Sequence, residues 1–187
     1  MTLSTIDKNT ALIVIDLQKG ILAMVGEVQR RAVLTQTRAL LDTFRALNLP
    51  VVLVQVIGAA PGRVEQKRPH SPRAEDWDEL AAELAVQPSD YRLSKERWGA
   101  FSNSKLHPYL QERGVTQIVL AGISTSIGVE SSARSAYALG YHVTLAIDAM
   151  ANTNAEAHDN SLRRIFPRLG ETGSTAEIIA LLQQSHA

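Results

Sequence analysis

Continuous runs of apolar and β-branched residues recur along this chain, separated by stretches in which apolar positions follow a helical spacing. Such runs are typical of strands that are buried on both faces of a parallel sheet. The alternation of strands and helices predicts an α/β fold: a three-layer αβα, Rossmann-like domain whose mostly parallel sheet has roughly six strands. The predicted strands are residues 11–15, 51–57, 91–94, 117–121, 141–148 and 171–173.

Helices are predicted from the spacing of apolar residues and from signals at the helix ends. Gly140 is placed to end one helix in a left-handed conformation, and Pro167 is placed to stop another. Ser102 is a candidate N-terminal cap, and Ser174 forms a candidate capping box with Glu177. The predicted helices are residues 28–47, 75–86, 103–113, 128–140, 155–166 and a last one from 175 onward, with a surface loop at 58–72.

A strand, a tight turn, a helix and a second strand follow one another within residues 117–148. This order implies parallel pairing, and ligands of open parallel sheets bind beyond the carboxyl ends of strands, where helix N-termini present unpaired N–H groups. The small residues from Ser124 to Gly128 lie at such a place. They either make only a tight connection or line a binding site, and the residues at other strand ends decide between the two.

Two charged residues also follow predicted strands. Asp16 comes directly after residues 11–15, where an acid is either a turn cap or a site residue. Lys95 follows residues 91–94, where a lysine is most often a solvated surface charge. An ammonium within ~4–6 Å of Asp16 would favour the carboxylate and burial would oppose it, so we expect the pair to hold one mobile proton near neutrality.

Three segments together resemble the isochorismatase-like (cysteine hydrolase) superfamily, which includes nicotinamidases, N-carbamoylsarcosine amidohydrolases and isochorismatases. The resemblance implies that Asp16 is the catalytic acid or base and that Lys95 belongs to the same site. It also implies an oxyanion hole formed by the amides of Ser124 and Gly128, with a cis peptide bond between Ile123 and Ser124. The segments are ALIVIDLQKGI at residues 11–21, LSKERWGAF at 93–101 and AGISTSIGVESSARSAYALGYHVTLAIDA at 121–149.

Gly128 stands where most members of this superfamily carry their cysteine nucleophile, and the chain contains no cysteine. Glycine has no side chain with which to attack, so amide hydrolysis through a thioester is excluded. Isochorismatases also carry glycine at this position, and they hydrolyse a vinyl ether without a covalent enzyme intermediate. The string GIST-x-IGVES is most similar to that of uncharacterised glycine-variant hydrolases of the superfamily.

Six further residues of these motifs are expected to line a pocket. Trp98 and Phe101 would supply broad apolar walls, although ordinary core packing is a close alternative for Phe101. Thr125 or Ser126 could replace the missing thiol with a hydroxyl, but the motif holds no histidine that would deprotonate it. The six residues are Gln18, Ile21, Trp98, Phe101, Thr125 and Ser126.

The length of the chain and its balance of charges limit the classes of partner that the protein is expected to bind. The chain has 187 residues, enough for a single domain (residues 1–187) whose core needs no disulfide or metal. Acidic and basic residues balance at nineteen each, so we expect a small-molecule substrate and no nucleic acid or membrane surface. The N-terminal stretch resembles neither a secretion signal nor a membrane span, which favours the cytoplasm.

The five histidines are scattered, so we expect them to be solvated or locally hydrogen-bonded, with no catalytic metal and no cofactor. The small residues of 131–138 and the habit of the superfamily predict a homodimer or homotetramer. The histidines are His70, His107, His142, His158 and His186.

Besides catalysis by a hydroxyl of Thr125 or Ser126, two hypotheses about function remain. In the first, Asp16 and Lys95 act as an acid–base pair on an isochorismate-type vinyl ether or a similarly labile bond, and water attacks in the space that the thiol would fill. In the second, the protein is a non-catalytic relative that binds a small ligand.

Overall fold

The computed structural model describes residues 3–66 and 73–186. Its sheet consists of β1 (Thr10–Ile15), β2 (Val51–Val56), β3 (Tyr91–Lys95), β4 (Gln117–Ile123), β5 (His142–Ala151) and β6 (Glu171–Gly173). All six strands run parallel, in the spatial order β3-β2-β1-β4-β5-β6. The predicted fold class is confirmed, and β1 lies inside the sheet between β2 and β4.

Helices cover both faces of this sheet. They are α1 (Lys19–Leu22), α2 (Glu27–Ala46), α3 (Leu106–Glu112), α4 (Glu130–Ala138), α5 (Ala155–Asn160) and α6 (Thr175–Ser185). Because successive strand residues point to opposite faces, Leu12 and Val14 of β1 pack with α2 and α6, whereas Ile13 and Ile15 pack with α3 and α4. Among the described helices, none is both long enough and apolar enough to cross a bilayer.

The predicted helix at 75–86 is wrong. Only a 3₁₀ turn, Ala82–Leu84, forms there. The segment before it is tied to the start of α1 instead, since the N–H of Gly20 donates to the carbonyl of Trp77 at 3.0 Å. A Cβ atom on Gly20 would overlap the Trp77 indole, so the approach requires glycine. Hydrogen bonds to a distant segment therefore override the helical spacing of the apolar residues.

The helix predicted at 103–113 begins three residues late, at Leu106. Ser102 does not cap it, because its hydroxyl donates to the carbonyl of Gly99 at 2.7 Å. The side chain of Asn103 accepts a hydrogen bond from the N–H of Lys105 at 2.9 Å and completes the turn that precedes the helix. The capping box between Ser174 and Glu177, by contrast, is confirmed at the start of α6.

Three other predicted boundaries shift. The helix predicted at 155–166 is divided in two: α5 ends at Asn160, and a π turn, Ser161–Ile165, follows it. Pro167 lies inside a 3₁₀ turn instead of stopping the helix. β5 continues past residue 148 to Ala151, into part of a predicted loop. Residues 58–66 of the loop predicted at 58–72 contain no helix or strand, and residues 67–72, including His70, lie outside the described residues.

Gly122 allows β4 to pass close to the end of β1. Its φ angle is +123°, and a Cβ atom there would overlap the backbone of Ile15. Side chains other than hydrogen are strongly disfavoured at such an angle. This glycine therefore fixes the distance between the ends of the two strands that carry the candidate site.

Gly122→Ala is expected to lower the free energy of unfolding by at least ~4 kcal/mol, since it combines a backbone overlap with a disfavoured φ angle. Gly140→Ala is the matched control: its φ is +87° with no atom within 4 Å of the added Cβ. The control should lose only about 1–2 kcal/mol. Urea unfolding followed by circular dichroism measures both values, and equal losses would contradict the proposed overlap.

Candidate active site

Three strand ends meet at one edge of the sheet. Asp16 follows β1 with a left-handed φ of +52°, and its N–H donates to the carbonyl of Val54 in β2 at 3.0 Å. Lys95 is the last residue of β3, and Ser124 follows β4. Parallel pairing therefore gathers three residues that lie far apart in the sequence.

Asp16 and Lys95 form a buried ion pair. The ammonium Nζ of Lys95 lies 2.6 Å from Oδ2 of Asp16, and the two side chains are 1% and 7% exposed for Lys95 and Asp16, respectively. The second carboxylate oxygen of Asp16, Oδ1, is buried and has no hydrogen-bond partner in the described part of the chain. Buried polar atoms are normally paired. Oδ1 is thus the one oxygen of the pair whose hydrogen-bonding capacity is unused within the described chain.

Burial raises the pKa of the Asp16 carboxyl to about 6, although the charge and the hydrogen bond of Lys95 act in the opposite direction. The desolvation of the carboxylate is the larger effect. A carboxyl group with this pKa can gain or lose a proton close to neutral pH. This is the property that general acid–base catalysis requires.

Gly128 lies directly beside this carboxyl group. A Cβ atom at Gly128 would be 3.3 Å from Oδ2 of Asp16 and 2.8 Å from Cγ2 of Ile15. The carbonyl of Gly128 accepts a hydrogen bond from the buried hydroxyl of Ser132 at 2.6 Å, and that hydroxyl accepts one from the N–H of Ala100 at 2.9 Å. The turn is therefore held against the segment that follows Lys95.

The turn itself begins with a cis peptide bond between Ile123 and Ser124. The carbonyl of Ser124 accepts hydrogen bonds from the N–H groups of Ile127 and Val129 at 3.1 and 3.2 Å. A π turn, Thr125–Val129, then leads into α4. The N–H of Ser124 donates no hydrogen bond to the described backbone, which leaves it available as an anion donor.

Two residues that contact the turn were not predicted from the sequence. Nδ1 of His158 lies 2.8 Å from the hydroxyl of the fully buried Thr125. Asn152 accepts hydrogen bonds from the hydroxyl and the N–H of Ser126 at 3.2 and 3.3 Å. Asn152 directly follows β5, so the rule that identified Asp16 would have found it if that strand had been predicted to its true end. No sequence signal pointed to His158.

The remaining predicted pocket residues lie in different environments. Gln18 is fully buried, and its amide binds the backbone at three points, including the N–H of Val56 at 2.8 Å. Ile21 packs against the core on the α2 face of the sheet. Trp98 is 55% exposed, and its carbonyl lies 3.5 Å from the Cβ position at Gly128. The backbone of Trp98 therefore borders the site beside Gly128.

Phe101 packs in the core of the structure. Its ring centroid lies 5.9 Å from that of Tyr141, which immediately precedes β5 at the amino edge of the sheet. The core-packing alternative therefore describes Phe101 better than a pocket wall does.

No three His, Cys, Asp or Glu side chains of residues 3–66 and 73–186 converge as a metal site would require. Two surface cavities, of about 300 and 450 Å³, lie away from the carboxyl ends of the strands and are lined by α3 and its neighbours. Neither contains Asp16, Lys95 or Gly128 in its wall.

A family model, the isochorismatase domain, matches residues 10–177, which include all three strand ends of the site. The chain belongs to the isochorismatase family. This confirms the resemblance drawn from its motifs. The isochorismatase family protein YecD of Escherichia coli O157:H7, itself uncharacterised, is 41% identical over an alignment of 182 positions that covers 94% of this chain and 97% of that protein.

Other members of the isochorismatase family extend the comparison. The ureidoacrylate amidohydrolase RutB of Caulobacter vibrioides is 34% identical over an alignment of 173 positions that covers 76% of each chain. A solved structure of an isochorismatase family protein from Burkholderia thailandensis superposes with a TM-score of 0.91 at 35% identity, covering 97% of this chain and all of that one. The family is hydrolytic, as the name of RutB illustrates.

Lys95→Met is expected to lower the free energy of unfolding by about 3–5 kcal/mol at pH 8, because the buried carboxyl of Asp16 then has no counter-charge and must take up a proton at a pH far above its ordinary pKa. The pKa of Asp16 is already raised to about 6 in the wild-type protein, so at pH 5 the carboxyl is mostly neutral and the loss should be smaller. Urea unfolding at both pH values measures the difference.

The control for this prediction is Lys8→Met, which removes an exposed ammonium and should change stability by less than about 0.5 kcal/mol at either pH. A loss in Lys95→Met that is the same at pH 5 and pH 8 would show that the lysine acts through packing and not through charge.

Proposed function

We propose that this protein is a small-molecule hydrolase in which Asp16 and Lys95 form an acid–base pair that works without a covalent nucleophile. One observation carries the proposal: the buried carboxyl of Asp16 has one oxygen on Lys95 and leaves the other without a partner in the described chain. A carboxyl that served only to hold the fold would be expected to use both oxygens. The pKa of about 6 supports a role in proton transfer.

The bond that suits this arrangement is a vinyl ether of the isochorismate type, or a bond of similar lability. Protonated Asp16 donates its proton to the terminal vinyl carbon, and the ether carbon becomes an oxocarbenium ion. Water adds to that carbon and returns a proton to the Asp16 carboxylate. The resulting hemiketal then breaks into a ketone and an alcohol, so the cycle ends with Asp16 protonated as it began.

Lys95 has a separate part in this cycle. Once Asp16 has given up its proton, the carboxylate is a buried charge, and the ammonium 2.6 Å away stabilises it. The same ammonium opposes the initial protonated state, so it sets the balance between the two forms. Removal of Lys95 would therefore trap Asp16 in its neutral form.

The amides at the start of the turn are proposed to bind the negative part of the substrate. The free N–H of Ser124 and the N–H of Gly128 lie where α4 and its preceding turn begin, and such groups favour a carboxylate or an oxyanion. The indole of Trp98, whose backbone borders Gly128, is proposed as the apolar wall of the site.

A hydroxyl nucleophile fits the site less well. His158 does give Thr125 the basic partner that the sequence motif lacks, at 2.8 Å. Thr125 is fully buried, however, and cannot meet a substrate directly. The hydroxyl of Ser126 donates to the side-chain oxygen of Asn152, an amide, which cannot act as a base. Both hydroxyls are thus engaged in holding the turn.

The alternative function is that of a non-catalytic relative that binds a small ligand in the same site. A pure binding protein would gain little from a buried ion pair, because desolvating both charges costs free energy. The alternative predicts that ligand binding persists without turnover.

A hydrolysis screen separates the two functions. Purified wild-type protein, Asp16→Asn and Lys95→Ala would be tested against isochorismate, nicotinamide, N-carbamoyl amines and labile esters and ethers. We expect turnover of a vinyl ether by the wild type and a loss of at least about 100-fold in kcat in Asp16→Asn, since the proton donor is absent. No turnover across the panel, combined with a ligand-induced thermal shift, would favour the binding protein.

The pH dependence of kcat/KM tests the direction of the proton transfer. With a pKa of about 6, the proton donor is present below pH 6 and is lost above it. For isochorismate hydrolysis we expect kcat/KM to be level at pH 5 and to fall towards about tenfold per pH unit well above pH 6. A profile that rises through pH 6 would instead make the Asp16 carboxylate a general base.

A further inference from the structure

Two side chains of the segment that follows β5 hold the turn at the site, and a third side chain holds the start of α4. Asn152 binds Ser126, and His158 binds Thr125, as described above. In addition, the hydroxyl of Ser161 donates to the carboxylate of Glu130, the first residue of α4, at 2.7 Å. All three contacts join residues that are 26 to 33 positions apart in the sequence.

The contact between Thr125 and His158 involves the residue that directly follows Ser124, one of the proposed anion donors. Thr125 lies next to Ser124 and three residues before Gly128, and it is fully buried. A buried hydroxyl without a partner would cost about 1–3 kcal/mol. The 2.8 Å bond to Nδ1 of His158 thus stabilises the conformation in which the threonine faces α5.

Burial of the imidazole lowers the pKa of His158, and the nearby carboxylate of Asp159 opposes this effect. The imidazole is therefore mainly neutral at pH 7, with one ring nitrogen free to accept. Since a threonine hydroxyl can donate, a neutral ring forms this hydrogen bond without placing a charge beside the site.

We propose that His158 is a positioning residue, which through Thr125 fixes the turn that presents the amides of Ser124 and Gly128 to the substrate. The inference rests on the proposed function for its kinetic part only. Preorganised donors stabilise a developing negative charge because they need not reorient during the reaction. A displacement of ~1 Å in such a group can cost about 100-fold in rate.

The test compares variants that remove the contact with variants that retain it. Thr125→Val keeps the shape of the side chain and removes the hydroxyl, whereas Thr125→Ser keeps the hydroxyl. His158→Leu removes the ring, whereas His158→Asn places a polar atom near the position of Nδ1. Ser161→Ala is the matched control, because it breaks a contact between the same two segments that does not involve Thr125 or the anion donors.

Two readouts are needed. The first is kcat and KM for isochorismate at pH 7. The second is amide hydrogen exchange by NMR at Ile127 and Val129, whose N–H groups bind the carbonyl of Ser124, with Ala133 inside α4 as the internal reference. Thermal unfolding of each variant shows whether the whole fold is retained.

We expect kcat to fall by about 10- to 100-fold in Thr125→Val and His158→Leu, with KM changed by less than about threefold. Exchange at Ile127 and Val129 should accelerate by at least about tenfold without a change at Ala133. Thr125→Ser and His158→Asn should restore most of both properties, and Ser161→Ala should resemble the wild type.

Full kcat in Thr125→Val, or an equal loss in Ser161→Ala, would overturn the positioning role. If the wild-type protein hydrolyses nothing in the panel, the proposed function fails, and exchange alone decides this inference. Faster exchange confined to the turn in Thr125→Val then supports it, and unchanged exchange overturns it.

Discussion

The buried ion pair between Asp16 and Lys95 is the constraint that the rest of this fold satisfies. Neither Asp16 nor Lys95 could be desolvated alone at acceptable cost, so the two side chains must reach the same place together. The parallel register of β1, β2 and β3 achieves this, because Val56 at the end of β2 pairs with Lys95, and Val54 binds the N–H of Asp16. The packed helical layers hold that register, so the hydrophobic core keeps the two charged side chains together.

Much of this arrangement follows from local sequence. Runs of β-branched residues require burial on both faces, so they indicate the central strands and the order of the elements. Asp16 and Lys95 could be found because each lies directly at a strand end, where the rule for parallel sheets places ligands. Gly122 and Gly140 have positive φ angles, which glycine adopts without the strain that other residues would suffer.

The features that the sequence did not predict depend on contacts between distant segments. Residues 75–86 have the spacing of a helix, yet their backbone bonds to the loop after β1, a partner that no local pattern records. Asn152 was missed because β5 extends beyond Asp148 through an irregular register with β4. His158 belongs to the site only through α5, whose position depends on the packing of the whole domain.

The absence of a side chain at Gly128 also affects how the protein reacts with oxidants and alkylating reagents. A thiolate nucleophile is the part of a cysteine hydrolase that peroxide, nitrosating agents and alkylating reagents attack. This chain has no cysteine, so its site offers these reagents no thiol. A carboxyl–ammonium pair is not oxidised by them. A reaction that depends on such a pair can therefore continue under oxidative stress that would inactivate an enzyme with a catalytic thiol.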